Sequence, residues 1–142
     1  MYSLYVLLLE NKRIYVGITP TWRSSLRFDE HTEGIATKWT GKHPVISKVL
    51  EFSLEDKKLA LATEHRLTEL LMERYGLDST RGGNFVMARE GGTWWVPKEM
   101  KNTPRFTETW TSLSEHTFSE SLPNDPILLR EHRISQCFAD SK

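Results

Sequence analysis

An α+β fold, with a three-stranded antiparallel β-sheet flanked by helices and a C-terminal extension, follows from three features of the sequence. Leu4–Leu9 and Arg13–Ile18 are apolar runs on either side of a polar turn, the pattern of a β-hairpin. Leu54–Tyr75 is a long stretch rich in Leu, Ala, Glu and Lys that contains neither Gly nor Pro, as a helix requires. Near residue 90 the composition shifts: residues 91–142 hold four of the six prolines and a Ser/Thr/Glu-rich run from Thr107 to Ser121. This divides the chain into a domain over 1–90 and an extension over 91–142, which is marginal for burying a core of its own and packs on the domain or on a partner.

The elements follow in order. A hairpin loop of Asn11, Lys12 and Arg13 has an odd length, and that parity sets Leu4, Val6, Leu8, Ile14, Val16 and Ile18 on one face of the sheet. The other face carries Tyr5, Leu7, Leu9, Tyr15 and Gly17 and is the more polar of the two. A helix from an N-cap at Thr19, with Pro20 at its first position, to about His31 is expected next, with Trp22 and Leu26 one turn apart. Arg23, Arg27 and His31 then fall on one polar face. Val45–Phe52, opened by Pro44, reads as the third strand, and the helix over Leu54–Tyr75 stops at Gly76.

Bulk properties exclude several classes. The 142 residues carry 19 Lys+Arg against 19 Asp+Glu, so an overall basic chain that binds nucleic acid by bulk attraction is ruled out. One cysteine, Cys137, allows neither an internal disulfide nor a cysteine-based zinc site. The apolar run at Leu4–Leu9 lacks a basic segment before it and is too short for a signal peptide or a membrane span. A soluble cytoplasmic protein is the expectation.

One position of the long helix breaks its pattern. The apolar stripe is Ala60, Thr63, Leu67, Leu70 and Leu71, and Glu64 occupies the place that continues it. An inward carboxylate left unpaired costs several kcal/mol or is forced neutral, so Glu64 calls for a cation, either a basic side chain or a metal.

Together these pieces resemble the GIY-YIG nuclease family. Ser3-Leu4-Tyr5 stands where the family has Gly-Ile-Tyr, and Tyr15-Val16-Gly17 where it has Tyr-Ile-Gly. The order continues through Leu26-Arg27, His31, Lys38-Trp39-Thr40, Pro44-Val45 and Ala60-Leu61 before Glu64, and ends at Asn84. The resemblance spans residues 3 to about 85 and looks closest to the small stand-alone and structure-selective members. It implies metal-dependent hydrolysis of phosphodiester bonds in DNA, with RNA left open. Glu64 would be the sole protein ligand of one Mg²⁺ or Mn²⁺, a sparse coordination that suits a cation which keeps several waters.

The same resemblance gives the other residues their roles. Arg27 clamps the scissile phosphate with a charge-assisted fork. Tyr5 and Tyr15 flank the attacking water, one as general base and the other as orienter, in an order the sequence does not decide. His31 donates to phosphate or shuttles a proton. Asn84 braces the site by hydrogen bonds. Ser3 departs from the family glycine, which matters only if that position needs a positive φ or a close backbone approach. His65, beside Glu64, points about a hundred degrees away on a helix and reads as a surface residue.

Binding of nucleic acid falls to local features. Gly34–Lys48 contains Lys38, Trp39, Lys42, His43 and Lys48 and no acid, a basic and aromatic loop suited to a backbone and an exposed base. In the alternative, Trp39 anchors a solvated loop to the core. The tryptophans of the extension, Trp94, Trp95 and Trp110, serve homodimer contacts, packing or substrate contacts, alternatives that stay open. A non-catalytic nucleic-acid-binding adapter with the same fold is the competing function, and a protein-interaction domain built around the extension is a third.

Overall fold

β1 (Tyr2–Leu9) is a central strand, and its sequence explains why: seven of its eight residues are buried, a near-continuous run that suits a strand covered on both faces. The computed structural model describes residues 1–76, 79–83, 122–131 and 133. β2 (Arg13–Pro20) pairs antiparallel with β1 on one side and β3 (Val45–Leu54) pairs antiparallel on the other. A fourth strand, β4 (Thr80–Gly82), lies parallel to β2, giving the order β3-β1-β2-β4. The sheet is therefore four-stranded and mixed, where the sequence led to three antiparallel strands. β4 escapes sequence reading because it is three residues long and ends in Gly82, with no alternating apolar pattern to mark it.

The hairpin keeps the expected parity but not the expected loop. Leu9 pairs with Arg13, so the connection is Glu10, Asn11 and Lys12, and Asn11 and Lys12 both take a positive φ of 62° and 58°. Leu4, Val6 and Leu8 pair with Ile18, Val16 and Ile14, which shares one face among all six.

The second face, which carries the two tyrosine hydroxyls, is covered as well. Tyr5, Leu7 and Leu9 pack with Trp39, Tyr15, Phe28 and Val45 into a second core, beneath α1 (Ser24–Thr32) and α2 (Lys38–Lys42). The first face packs against α3 (Lys57–Tyr75) through Ala60, Leu67, Leu71 and Tyr75. Burial of each such Leu or Val contributes about 1.5–3 kcal/mol relative to exposure.

Two helix starts differ from expectation. Thr19 and Pro20 extend β2 by pairing with Ser3 and Tyr2, so a 3₁₀ turn (Thr21–Arg23) precedes α1 and the residues expected at the helix start belong to the sheet. α3 begins at Lys57, because Asp56 caps it by accepting from the Lys58 N–H at 2.9 Å, while Leu54 closes β3.

A distant segment braces α3. Leu122 and Leu128 join the first core, and residues 126–131 are helical. Asp125 starts that helix, with its Oδ1 accepting from the Ile127 N–H at 2.9 Å and Pro126 at a position that needs no donor. Its Oδ2 accepts from the Tyr75 hydroxyl and from Arg74 Nε, and Arg66 Nη2 donates to both carboxylate oxygens of Glu131 at 2.8 and 2.9 Å. Asp125 is 2 % exposed, so Asp125→Ala removes a buried acceptor shared by Tyr75 and Arg74 together with the cap of the helix it starts. We expect a loss of about 3 kcal/mol in urea unfolding. No helix among the described residues is long and apolar enough to cross a membrane.

Candidate active site

The parity of the β1–β2 hairpin sets Tyr5 and Tyr15 side by side, their ring centroids 6.2 Å apart. Gly17, the cross-strand partner of Tyr5, makes this possible by having no side chain. A Cβ at that position would collide with the Tyr5 hydroxyl and lie 2.7 Å from Tyr15 Cε2. The requirement is for space and not for an unusual backbone, so Gly17→Ala forces the Tyr5 ring away. A loss of about 1–3 kcal/mol in thermal unfolding is expected, together with loss of the Tyr5 to His31 contact by NMR of the imidazole.

α1 supplies the next layer. His31 is fully buried and its ring meets both tyrosines, at 5.5 Å from Tyr5 and 4.8 Å from Tyr15. Arg23, in the turn before α1, and Arg27 are only partly buried, so His31 is the inward end of the polar face that the three share. Its Nε2 is 2.7 Å from Tyr5 Oη and its Nδ1 is 3.0 Å from Thr40 Oγ1. Burial, then the charge of Arg27, pushes the His31 pKa down to about 4, so the ring is neutral and donates through one nitrogen only. Arg27 donates to the Tyr5 oxygen. The consistent assignment has Tyr5 donating to Nε2, Nδ1–H donating to Thr40, and Thr40 donating to Thr37 Oγ1 at 2.9 Å. Thr37 also caps α2 by accepting from the Thr40 N–H at 3.1 Å.

Thr37 and Thr40 were not legible as site residues, because a five-residue helix is too short to show a periodic pattern. Glu30 was also missed, although its spacing of three from Arg27 was there to read. Its Oε1 lies 2.9 Å from Arg23 Nη2 and 3.7 Å from Arg27 Nη1, an electrostatic contact without an aligned hydrogen bond.

Glu64 faces inward as the stripe on α3 predicts, at 7 % exposure. The backbone N–H groups of Ile18 and Gly83 bond its carboxylate, but burial outweighs them and raises its pKa to about 7. No cationic side chain among the described residues offsets its charge. Gly83 reaches it because the turn after β4 presses on α3: with φ at +53°, a Cβ there would lie 2.8 Å from His65 Cα. His65 is thus half-buried, supports Gly83 and pairs with Glu69. Burial is the main cause that raises both tyrosines, Tyr15 to about 12, and the charge of Glu64 adds to each. Glu64 is the second cause for Tyr15 and the weakest for Tyr5, so the carboxylate bears more strongly on Tyr15.

Ser3 is buried, extended and paired with Thr19, and its Oγ donates to Thr21 Oγ1 at 3.1 Å, so the position does not need glycine. In the basic loop, Trp39 takes the anchoring role: it is 1 % exposed and its Nε1 donates to the Ile14 carbonyl at 2.9 Å. Arg81 stacks over it at 4.6 Å, and His43, buried, meets it edge-on. Neither Trp39 nor His43 presents a free face to a base. Lys38, Lys42 and Lys48 are exposed, and Lys48 pairs with Glu51 at 3.0 Å. Asn84, Trp94, Trp95 and Trp110 lie outside the described residues.

A hard cation fits what is present. No group of three or more His, Cys, Asp or Glu side chains forms a metal cluster among the described residues, so any ion here would rest on Glu64, with water and substrate phosphate completing its shell. The chain matches no family model, no curated protein and no solved structure.

Proposed function

We propose that this chain is a metal-dependent endonuclease of the GIY-YIG type, hydrolysing phosphodiester bonds in DNA. The observation that carries the reading is the convergence of two tyrosines, an arginine and a neutral histidine near a buried carboxylate that no cationic side chain offsets. A structural carboxylate in such a place is ordinarily paired with a basic side chain. Mg²⁺ or Mn²⁺ bound at Glu64 supplies charge neutralisation and Lewis acidity at the phosphate.

The chain's own residues do the rest. Arg27, with its side chain partly exposed, forks onto a non-bridging phosphate oxygen while keeping its contact with Tyr5. The Tyr5 oxygen is already committed, donating to His31 and accepting from Arg27, which makes Tyr5 the orienting tyrosine. The Tyr15 hydroxyl has no hydrogen-bond partner among the described residues and feels Glu64 more strongly. Burial and the Glu64 charge hold its pKa at about 12, and a cation at Glu64 would offset that charge; having first released its own proton to solvent, the Tyr15 phenolate would take the proton of the attacking water. The exposed Lys38 and Lys42 of α2 line the path of the nucleic-acid backbone, beside the hairpin turn with Lys12 and Arg13.

The test is an incubation of the full chain with plasmid and branched DNA in Mg²⁺ or Mn²⁺, with Glu64→Ala and Arg27→Ala as controls. Metal-dependent cleavage abolished by both substitutions is expected. Binding without nicking of any DNA or RNA would leave a nucleic-acid-binding adapter instead.

A further inference from the structure

Trp22 is the most exposed large apolar side chain among the described residues, at 84 %. It contributes nothing to either core, and its place is fixed. The turn that carries it, Thr21–Arg23, is held by the Thr21 N–H donating to the Met1 carbonyl at 3.1 Å and by Ser3 Oγ donating to Thr21 Oγ1. Leu26, 54 % exposed, follows four residues later and continues an apolar strip along α1. Beside that strip, also four residues apart, stand Arg23 and Arg27, two cations that share the single carboxylate of Glu30. The first turn of α1 contains no acidic residue and no side-chain cap, so the positive end of the helix adds to the same field. An apolar plate thus lies next to an excess of positive charge on the element that carries Arg27.

We propose that Trp22 is a stacking platform for an unpaired nucleobase, which makes the substrate a nucleic acid with a single-stranded or unstacked nucleotide next to the scissile phosphate. The inference rests on the endonuclease reading and narrows its substrate class. The pairing of charges and plate matches one nucleotide: the phosphate takes the arginines and the helix end, and the base takes the indole. From Trp22 to Arg27 is five residues, about 8 Å along a 3₁₀ turn and an α-helix, which is within reach of a flanking nucleotide when Arg27 holds the scissile phosphate. A base inside a duplex has both faces covered by its neighbours and offers none to the indole. Aromatic stacking tolerates every base, so the recognition is of strand geometry and not of sequence. This selectivity needs no overall positive charge, in keeping with 19 basic against 19 acidic residues.

The experiment measures binding by fluorescence anisotropy in the full chain bearing Glu64→Gln, which silences cleavage. The probes are a blunt hairpin duplex and the same duplex with a single-stranded tail carrying 2-aminopurine. Tighter binding of the tailed probe, with quenching of its 2-aminopurine, is expected. Adding Trp22→Ala should weaken the tailed probe by about 10- to 100-fold and abolish the quenching, with less than about 2-fold effect on the blunt duplex. Trp22→Phe should recover most of the loss. Equal weakening of both probes, or no weakening, overturns the proposal and leaves the endonuclease reading standing. So does a Trp22→Ala change that turns a dimer into a monomer by sedimentation, which would assign the strip to a second copy of the chain. Binding of neither probe overturns both readings.

Discussion

Glu64→Gln is expected to make the metal-free protein more stable than the parent at about pH 8, by up to about 3 kcal/mol, while removing cleavage. The carboxylate has a folded pKa of about 7 against an ordinary 4.5, and each pH unit of displacement is worth about 1.4 kcal/mol. The folded state holds the proton more tightly than the unfolded state. The Glu64 contribution to the parent's stability therefore falls as pH rises from 4.5 to about 7 and is flat above that. Glutamine carries no such titration and still accepts the Ile18 and Gly83 N–H groups through its amide oxygen. The two proteins should be closely matched below pH 4.5 and diverge between 4.5 and 7. His31 acts with the opposite sign, since its pKa is depressed to about 4: stability is lost as pH falls from 6.5 toward that value. It does so in both proteins and cancels in the difference. Millimolar Mg²⁺ should stabilise the parent and not the variant, because a ligand that binds only the folded state adds its binding free energy. Urea titrations across this pH range read all of these effects. A difference that does not vary with pH would mean that the carboxylate is not held in a desolvated, cation-free place.

The second large effect separates the tyrosines. Tyr15→Phe should lower the single-turnover cleavage rate by about 100- to 10,000-fold, the range for loss of a general base, and flatten the rise of rate with pH. Tyr5→Phe removes a hydroxyl that links Arg27 to His31, and its loss should lower the rate by about 10- to 100-fold with the pH profile retained. Equal losses, or a larger loss with a flattened profile for Tyr5→Phe, would exchange the roles. End-labelled DNA with enzyme in excess gives both rates directly.

Local pattern made the centre of the fold legible. Parity of the hairpin, the apolar stripe of α3 and the inward Glu64 are all properties of neighbours in sequence, and the structure has them. The parts that were not legible depend on contacts between distant segments. Trp39 reads equally as a base-stacking residue or an anchor until the Ile14 carbonyl is seen to accept from its indole. The polar face of α1 gives no sign that His31 is fully buried, because its contact Tyr5 lies twenty-six residues earlier. The edge where Thr19 and Pro20 join β2 has capping chemistry that suits a helix start, and pairing with β1 overrides it. Asp125 before Pro126 carries the local signal of a helix start, but nothing near it marks its pairing with Arg74 and Tyr75, which lie fifty residues earlier.

The parallel pairing of β4 with β2 has a consequence for the order in which the centre comes together. Between the two strands the chain runs through α1, α2, β3 and α3, so this is among the longest loop closures in the sheet and is expected to form late in folding. The tyrosines, the arginine and the histidine are all encoded before residue 32 and converge through the hairpin and α1, whereas Gly83 reaches the carboxylate of Glu64 only after β4 docks. A nascent chain thus completes the hairpin and α1 side of this cluster first and the anchorage of its carboxylate last, so that, on the endonuclease proposal, cleavage waits until the domain is nearly folded.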